Sequence, residues 1–326
     1  MVNQFLSAKQ RRVDSGEMGR RSFADYHTAC KLVVEAFGVH RLVTDLTPAD
    51  FGQFRASLTK TRGPVALGNQ INRVRSVFKF AFDAGLIEKP VRFGPEFIRP
   101  SMRAVRVAKR NNGPRLFERE EVHGLLKVAS PALKAMILLG VNCGLGNTDI
   151  AELQRSMLDL KAGTLDFRRP KTGIARRGCL WPETIRAIRA YLKERREPVD
   201  DADSDTLFIT KYGQRWVRVR EPGEKSRRTG TSQIVVTDSV GLEFGKLVRT
   251  TNMQRPGRSF YALRHTFRTI ADEVNDRRAI DLCMGHESTA DIATAYVERI
   301  DEERIKRVAE HVRRWLYNEA HATENR

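Results

Sequence analysis

The chain has 326 residues, 40% of them apolar and 30% charged, the balance of a folded protein of about two domains rather than a disordered or fibrous one. Its 58 Lys and Arg against 40 Asp and Glu leave a formal charge of +18, an excess that favours a polyanionic partner. No window holds the ~18 apolar residues of a bilayer span, the opening MVNQFLSAKQRRVDSGE lacks an apolar signal core, and no GxxxxGKS/T loop offers a P-loop.

The positive charge is densest in the first third, where residues 1–110 carry 20 basic and 9 acidic side chains. Phe23, Tyr26, Cys30, Val33 and Phe37 recur at helical spacing, with Gly38 as a stop. Thr47 before Pro48 reads as an N-cap with proline at the first helical position, opening a helix through Phe51, Phe54 and Leu58. Thr61-Arg62-Gly63-Pro64 breaks it. The next run places Ile71, Val74, Phe78 and Phe82 on an apolar face and Asn72, Arg73, Arg75 and Lys79 on the other. That second face is either simply solvated or laid along phosphates. Residues 99–110 hold five basic residues and no acid, and Asn111-Asn112-Gly113-Pro114 closes them. The stretch reads as an interdomain linker whose Arg103, Arg106, Lys109 and Arg110 can follow a nucleic-acid backbone.

Beyond residue 115 the pattern changes. Helices are expected over 118–129, 132–141 and 149–153, a strand over 163–167, a turn at Lys171-Thr172-Gly173, a return strand over 177–181 and a helix over 183–196. Leu207-Phe208-Ile209 is strand-like, and the Arg- and Gly-rich tract 215–230 reads as a loop. Ile305, Val308, Val312, Trp315 and Leu316 form an apolar stripe on a last helix. Cys30, Cys143, Cys179 and Cys283 form no CxxC pair and read as thiols of a reducing cytoplasm. The expected fold is mainly α with a small antiparallel β-sheet: a helical domain with its basic linker in residues 1–110 and a mixed α/β domain in 115–326.

Two C-terminal segments and one turn carry the chemistry. They are Tyr261-Ala262-Leu263-Arg264-His265-Thr266-Phe267, then Leu282-Cys283-Met284-Gly285-His286 with Tyr296 ten residues on, and Lys171 in Pro170-Lys171-Thr172-Gly173. In this order and spacing they resemble the tyrosine recombinase (phage integrase) family, over about residues 20–317. The resemblance implies a core-binding domain before a catalytic domain that cuts and rejoins DNA at specific sites. It implies duplex DNA with inverted-repeat sites as partner, a homotetramer in the synaptic complex, and no metal or other cofactor. The setting would be the cytoplasm, on the nucleoid if the host is prokaryotic.

Phosphodiester transfer without a metal needs a nucleophile, fixed cations and an acid for the leaving oxygen. By the resemblance Tyr296 attacks, Arg264 grips two phosphate oxygens, Lys171 protonates the departing 5′-oxygen, and His286 bonds a non-bridging oxygen or positions the nucleophile. Tyr261 and Tyr317 are the competing phenols. Two positions depart from the family pattern. Tyr261 stands where a histidine is usual, and a phenol still donates to phosphate. Gly146, in Gly144-Leu145-Gly146-Asn147-Thr148-Asp149-Ile150, stands where an arginine is usual. Either another arginine fills the gap (Arg168, Arg169, Arg176, Arg177, or one of the 215–230 tract), or catalysis proceeds with a reduced set, or the chain is a DNA-binding or regulatory protein that does not cut.

Overall fold

The structure, a computed structural model, describes residues 1–168, 173–220, 235–286 and 299–318. It divides into two compact units, Met1–Gly113 with Val219–Val236, and Pro114–Arg218 with Thr237–Arg326.

The first unit is helical: α1 (Val2–Asp14), α2 (Arg20–Phe37), α3 (Pro48–Thr59), α4 (Pro64–Asp83) and α5 (Met102–Asn111). The Thr47 side chain accepts from Asp50 N while Asp50 accepts from Thr47 N, so two orphan donors at the start of α3 are satisfied reciprocally. Ile71, Val74 and Phe78 of α4 meet Val33, Phe51, Phe54, Leu58 and Phe97 in one core. There Phe37, Phe51, Phe54, Phe78, Phe93 and Phe97 pack with ring centroids 4.9–6.4 Å apart, mostly edge to face.

Three details differ from the sequence reading. Phe82 is 42% exposed, because the buried stripe of α4 drifts through Val77 to Ala81 and leaves Phe82 off the core face. The segment read as a linker contains α5, capped by the Ser101 side chain on Ala104 N. Its Met, Ala, Arg and Lys are strong helix formers, so local propensity suffices although no residue of it is buried. Helix α1 carried little periodic signal because Phe5 is its one buried residue, set between Tyr26 and Phe80.

The second unit contains α6 (Arg119–Val128), α7 (Pro131–Cys143), α8 (Asn147–Glu152), β1 (Leu158–Asp159), β2 (Thr164–Arg168), β3 (Ala175–Cys179), α9 (Pro182–Glu194), α10 (Ser239–Thr250), α11 (Ala262–Ala271), α12 (Arg277–Met284) and α13 (Glu302–Tyr317), while β4 (Val217–Arg220) and β5 (Val235–Asp238) each begin in one unit and end in the other. Strands β1, β2 and β3 form an antiparallel sheet in that order, with Phe167 opposite Arg176, and β4 pairs with β5. Strand β3 lies two residues earlier than the sequence suggested, and it ends at Cys179 because Trp181 is the N-cap of α9 and Pro182 its first residue. Leu207, Phe208 and Ile209 are buried but make no strand; Ile209 has an isolated bridge to Arg215. Part of the tract expected as a loop is β4, and residues 221–234 lie outside the described set.

Helix α7 is the axis of this unit, buried from Ala135 to Cys143. A helix apolar on all sides belongs in the middle of a core. Its one buried polar side chain, Asn142, is a hub. Nδ2 donates to Cys179 O, and Oδ1 accepts from Trp181 N and Thr184 Oγ1, all at 2.9 Å. Asn142 thereby ties the end of β3 to the start of α9. Replacing Asn142 with Ala strands three buried groups at about 1–3 kcal/mol each, so urea unfolding is expected to show a loss of at least about 3 kcal/mol.

Helix α13 packs on its own unit. Ile305, Val308, Ala309, Val312 and Leu316 are buried, and Ala309 O accepts from the fully buried Trp181 indole. The apolar stripe read from the sequence is thus consumed within its own unit. Polar ties reinforce it: Arg313 to Glu183 at 2.9 Å, Arg304 to Asp276 at 2.7 Å, and His123 to Leu316 O at 2.8 Å. The Arg313 and Arg304 hydrogen bonds hold the Glu183 and Asp276 carboxyls below their ordinary values of 4.5 and 3.8. A carboxylate depressed on folding contributes stability that is complete above its ordinary value and lost as pH falls through the folded one. The melting-temperature gap between the wild type and a Glu183→Gln/Asp276→Asn variant is therefore expected to be constant near neutrality and to close in acid, below those ordinary values. No helix among the described residues is long and apolar enough to cross a membrane.

Candidate active site

Three helix ends meet at one side chain. Helix α7 ends on Gly144, in the left-handed region at φ 63°, and α12 ends on Gly285 at φ 59°. After Gly285 the chain turns so that His286 N donates to Asp281 O at 2.9 Å, the Schellman closure. The carbonyls of Gly144 and Met284 are then left without helical partners. Arg264, in the first turn of α11, takes both: Nη1 donates to Gly144 O at 2.5 Å and Nη2 to Met284 O at 2.8 Å. Cations suit the negative ends of helices, so two C-termini stabilise one guanidinium.

Arg264 is 2% exposed, while His286 lies at the surface with Nε2 2.7 Å from Arg264 Nη2. A guanidinium can only donate, so Nε2 accepts and the ring proton is assigned to Nδ1. A buried cation thus sits directly beneath an exposed imidazole.

The third helix end is the start of α8. Gly146 is its N-cap, and Asp149 accepts from Gly146 N at 2.9 Å. Asp149 is 5% exposed and faces two guanidinia: Arg176 Nη1 at 3.1 Å and Arg264 Nη1 at 3.8 Å. Arg176, from β3, is fully buried, donates Nη2 to Met284 O at 2.7 Å and lies over the Phe167 ring at 5.3 Å.

Gly146 has an ordinary φ of −96°, so the backbone does not demand glycine there. What opposes a side chain is Tyr261. A Cβ on Gly146 would lie 3.2 Å from two carbons of the Tyr261 ring. The two departures from the family pattern are therefore one contact. Tyr261 is 44% exposed, edge-on to His265 at 5.5 Å, and its hydroxyl has no hydrogen-bond partner among the described residues.

Of the expected site residues, the structure brings Arg264 and His286 together and sets Tyr261 at Gly146 rather than on that pair. Lys171 and Tyr296 lie outside the described residues. The rival phenol Tyr317 is edge-on to Trp181 and His123, and burial pushes its pKa up to about 12. Among the stand-ins considered for an arginine at 146, Arg176 reaches this cluster, whereas Arg177 pairs with Asp166 and Arg215 with Asp203. Asp149 was missed as a participant; its signal was an acid three residues after Gly146, which reads equally as a simple helix cap. Among the described residues no group of three or more His, Cys, Asp or Glu is placed to hold a metal ion.

In the first unit, Arg73 bonds Asp25 at 2.5 Å, Lys79 bonds Asp83 at 2.7 Å, and Arg75 stacks 4.6 Å over Phe93. Arg103, Arg106, Lys109 and Arg110 are all exposed on α5, and none forms an ion pair among the described residues.

Comparison with solved structures places the architecture. The Tn1549 transposon integrase in complex with a circular-intermediate DNA matches with a TM-score of 0.61 at 15% identity, over 95% of this chain and 99% of that one. A lambda integrase dimer bound to a COC′ core site matches with a TM-score of 0.62 at 12% identity, over 92% and 79%. At such identities the likeness establishes the fold, that of an integrase. The phage integrase family model matches residues 115–303, more than half of the chain, and the chain belongs to that family, the tyrosine recombinases. No curated protein matches it by sequence.

Gly144 is the most constrained position of the site. It has a positive φ, and an added Cβ would stand 2.8 Å from the Phe267 ring. Gly144→Ala is expected to cost more than about 1 kcal/mol in urea unfolding and to lower activity with it, because the carbonyl that holds Arg264 moves.

Proposed function

We propose that this chain is an active site-specific DNA strand transferase that cuts and rejoins duplex DNA through a 3′-phosphotyrosine, with neither metal nor ATP. The observation that carries the reading is the contact of buried Arg264 with exposed His286. A cation fixed in a low-dielectric setting stabilises developing phosphoryl charge more than the same cation in water, with no reorganisation during the step.

Tyr296 attacks phosphorus, and the bond from its phenolic oxygen forms as the bond to the 5′-oxygen breaks. Lys171 gives that oxygen its proton, and the phenolic proton passes to water. Arg264 and His286 hold non-bridging oxygens. Tyr261 offers its hydroxyl at the side where position 146 supplies no cation. Rejoining is the reverse, with a 5′-hydroxyl attacking the phosphotyrosine, so the bond energy is kept. The exposed bases of α5, together with Arg75, track the phosphate backbone, while Arg73 and Lys79 contribute less because carboxylates already hold them. The partner is duplex DNA bearing inverted-repeat sites, engaged by a homotetramer, in the cytoplasm and, if the host is prokaryotic, on the nucleoid.

A second reading has one observation behind it. Position 146 has no cationic side chain, and the Tyr261 ring takes the space where one would begin. Losing an oriented donor costs ~10²–10³ in rate, so a DNA-binding protein that no longer cuts is the alternative.

Nicked suicide DNA substrates incubated in EDTA separate these. An adduct that is absent in Tyr296→Phe, and slowed by ~10²–10³ or more in Arg264→Ala, is the expected outcome. Binding without adduct supports the inert protein, and cleavage abolished by EDTA supports a metal nuclease. DNA affinity is expected to fall steeply with salt, with a slope that shrinks when Arg103, Arg106, Lys109 and Arg110 are replaced by Gln.

A further inference from the structure

We propose that Arg176 is a positioning residue: it draws the Asp149 carboxylate away from Arg264 and thereby keeps the Arg264 guanidinium competent to hold a phosphate. The inference deepens the strand-transfer reading by assigning a task to a side chain that cannot itself touch DNA.

Arg176 is fully buried, so its charge has no route to a ligand at the surface. Its neighbours show what it does there. Among the described residues Asp149 faces two guanidinia and is closer to Arg176, at 3.1 Å, than to Arg264, at 3.8 Å. Met284 O receives both guanidinia, at 2.7 Å from Arg176 and 2.8 Å from Arg264. Arg176 therefore stands beside Arg264 on a shared carbonyl and a shared carboxylate. Remove Arg176, and among the described residues Arg264 is the cation nearest Asp149. In a buried setting that attraction is strong and unscreened. Arg264 would then turn from the His286 side, where an anion would be held, toward Asp149.

The placement follows from the strand. β3 alternates exposed and buried residues, with Arg176 and Gly178 facing inward. An inward arginine at a sheet position suited to an apolar side chain is costly unless paired. Asp149, held by the α8 N-terminus, supplies the pair. With no cation at 146, Arg176 is the second positive group against that carboxylate. It restores the balance of charge in the pocket without restoring a phosphate contact.

The test reads anion binding directly. The Arg264 side-chain Nε–H resonance, assigned by its loss in Arg264→Lys, is followed during titration of the full chain with inorganic phosphate. The wild type is expected to give a saturable shift, and its absence overturns the proposal. Arg176→Met is expected to weaken phosphate binding by about tenfold or more. Adding Asp149→Asn to it removes the competing anion while its amide oxygen still accepts from Gly146 N, and is expected to recover most of the affinity. A purely structural role predicts the reverse, since a second buried change adds damage. If Arg176→Met binds phosphate like the wild type, or the double variant binds no better than the single, Arg176 does not position Arg264. Should Arg176→Met fail to fold, Asp149→Asn alone decides: phosphate binding at least as tight as wild type supports the proposal, and weaker binding overturns it. No step of this test involves Tyr296. A saturable shift in a protein that forms no DNA adduct therefore sinks the cleavage reading while leaving the assignment of Arg176 intact.

Discussion

A guanidinium buried to 2% exposure is the constraint around which the second unit is arranged. An ion in a protein interior is tolerated only if hydrogen bonds and opposite charge replace its water. Arg264 obtains these from backbone. Two helices stop where their last carbonyls can point at it, and each stop uses a glycine in the left-handed region. The residue is thus held less by other side chains than by where α7 and α12 end. Its own helix begins only two residues earlier, so the positive end of α11, which favours an anion rather than a cation, lies at the same spot. A cation already oriented by its surroundings needs little reorganisation during a reaction step, which is what a charge on a solvated surface side chain lacks.

The gap at position 146 takes on a specific meaning in this frame. An arginine there would have offered charge both to a phosphate and to Asp149. Arg176 of the sheet supplies a cation to Asp149, and the Tyr261 ring lies where a side chain on 146 would emerge, so on the proposed reading the first need is left to Tyr261. The two tasks have been separated onto two residues from different elements. Charge balance within the pocket survives that separation, because it needs only proximity. On the strand-transfer reading proposed above, direct stabilisation of a phosphate is weaker on this side, because a phenol replaces a cation.

Much of this was legible in the sequence, and the illegible parts share a cause. The helices of the first unit announced themselves through Phe51, Phe54, Ile71 and Val74, since burial on one face imposes a period. Thr47-Pro48-Ala49-Asp50 marked a helix start because capping is chemically local. Arg264 and His286 could be picked out as partners from motif order and spacing. What could not be read was the pairing of Asp149 with Arg176, which lie on a helix and a strand 27 residues apart. Nor could the sequence show that Tyr261 rests on Gly146. Helix α5 was hidden for another reason: its four basic residues with no acid, followed by Asn111-Asn112-Gly113-Pro114, resemble a charged linker, and none of its residues is buried.

The distribution of charge finally separates two kinds of work. Exposed bases such as those of α5 sit in water, where neighbouring ions screen them within about 8–10 Å at ordinary salt. They can supply affinity and steering, and both decay as salt rises. Arg264 and Arg176 are shielded from solvent, so added salt reaches them poorly. For a chain that acts on DNA by the route proposed, ionic strength should therefore set how much DNA is engaged and leave the rate of the engaged complex nearly unchanged. The large formal charge is then a property of capture, and the chemistry rests on the few charges that water cannot reach.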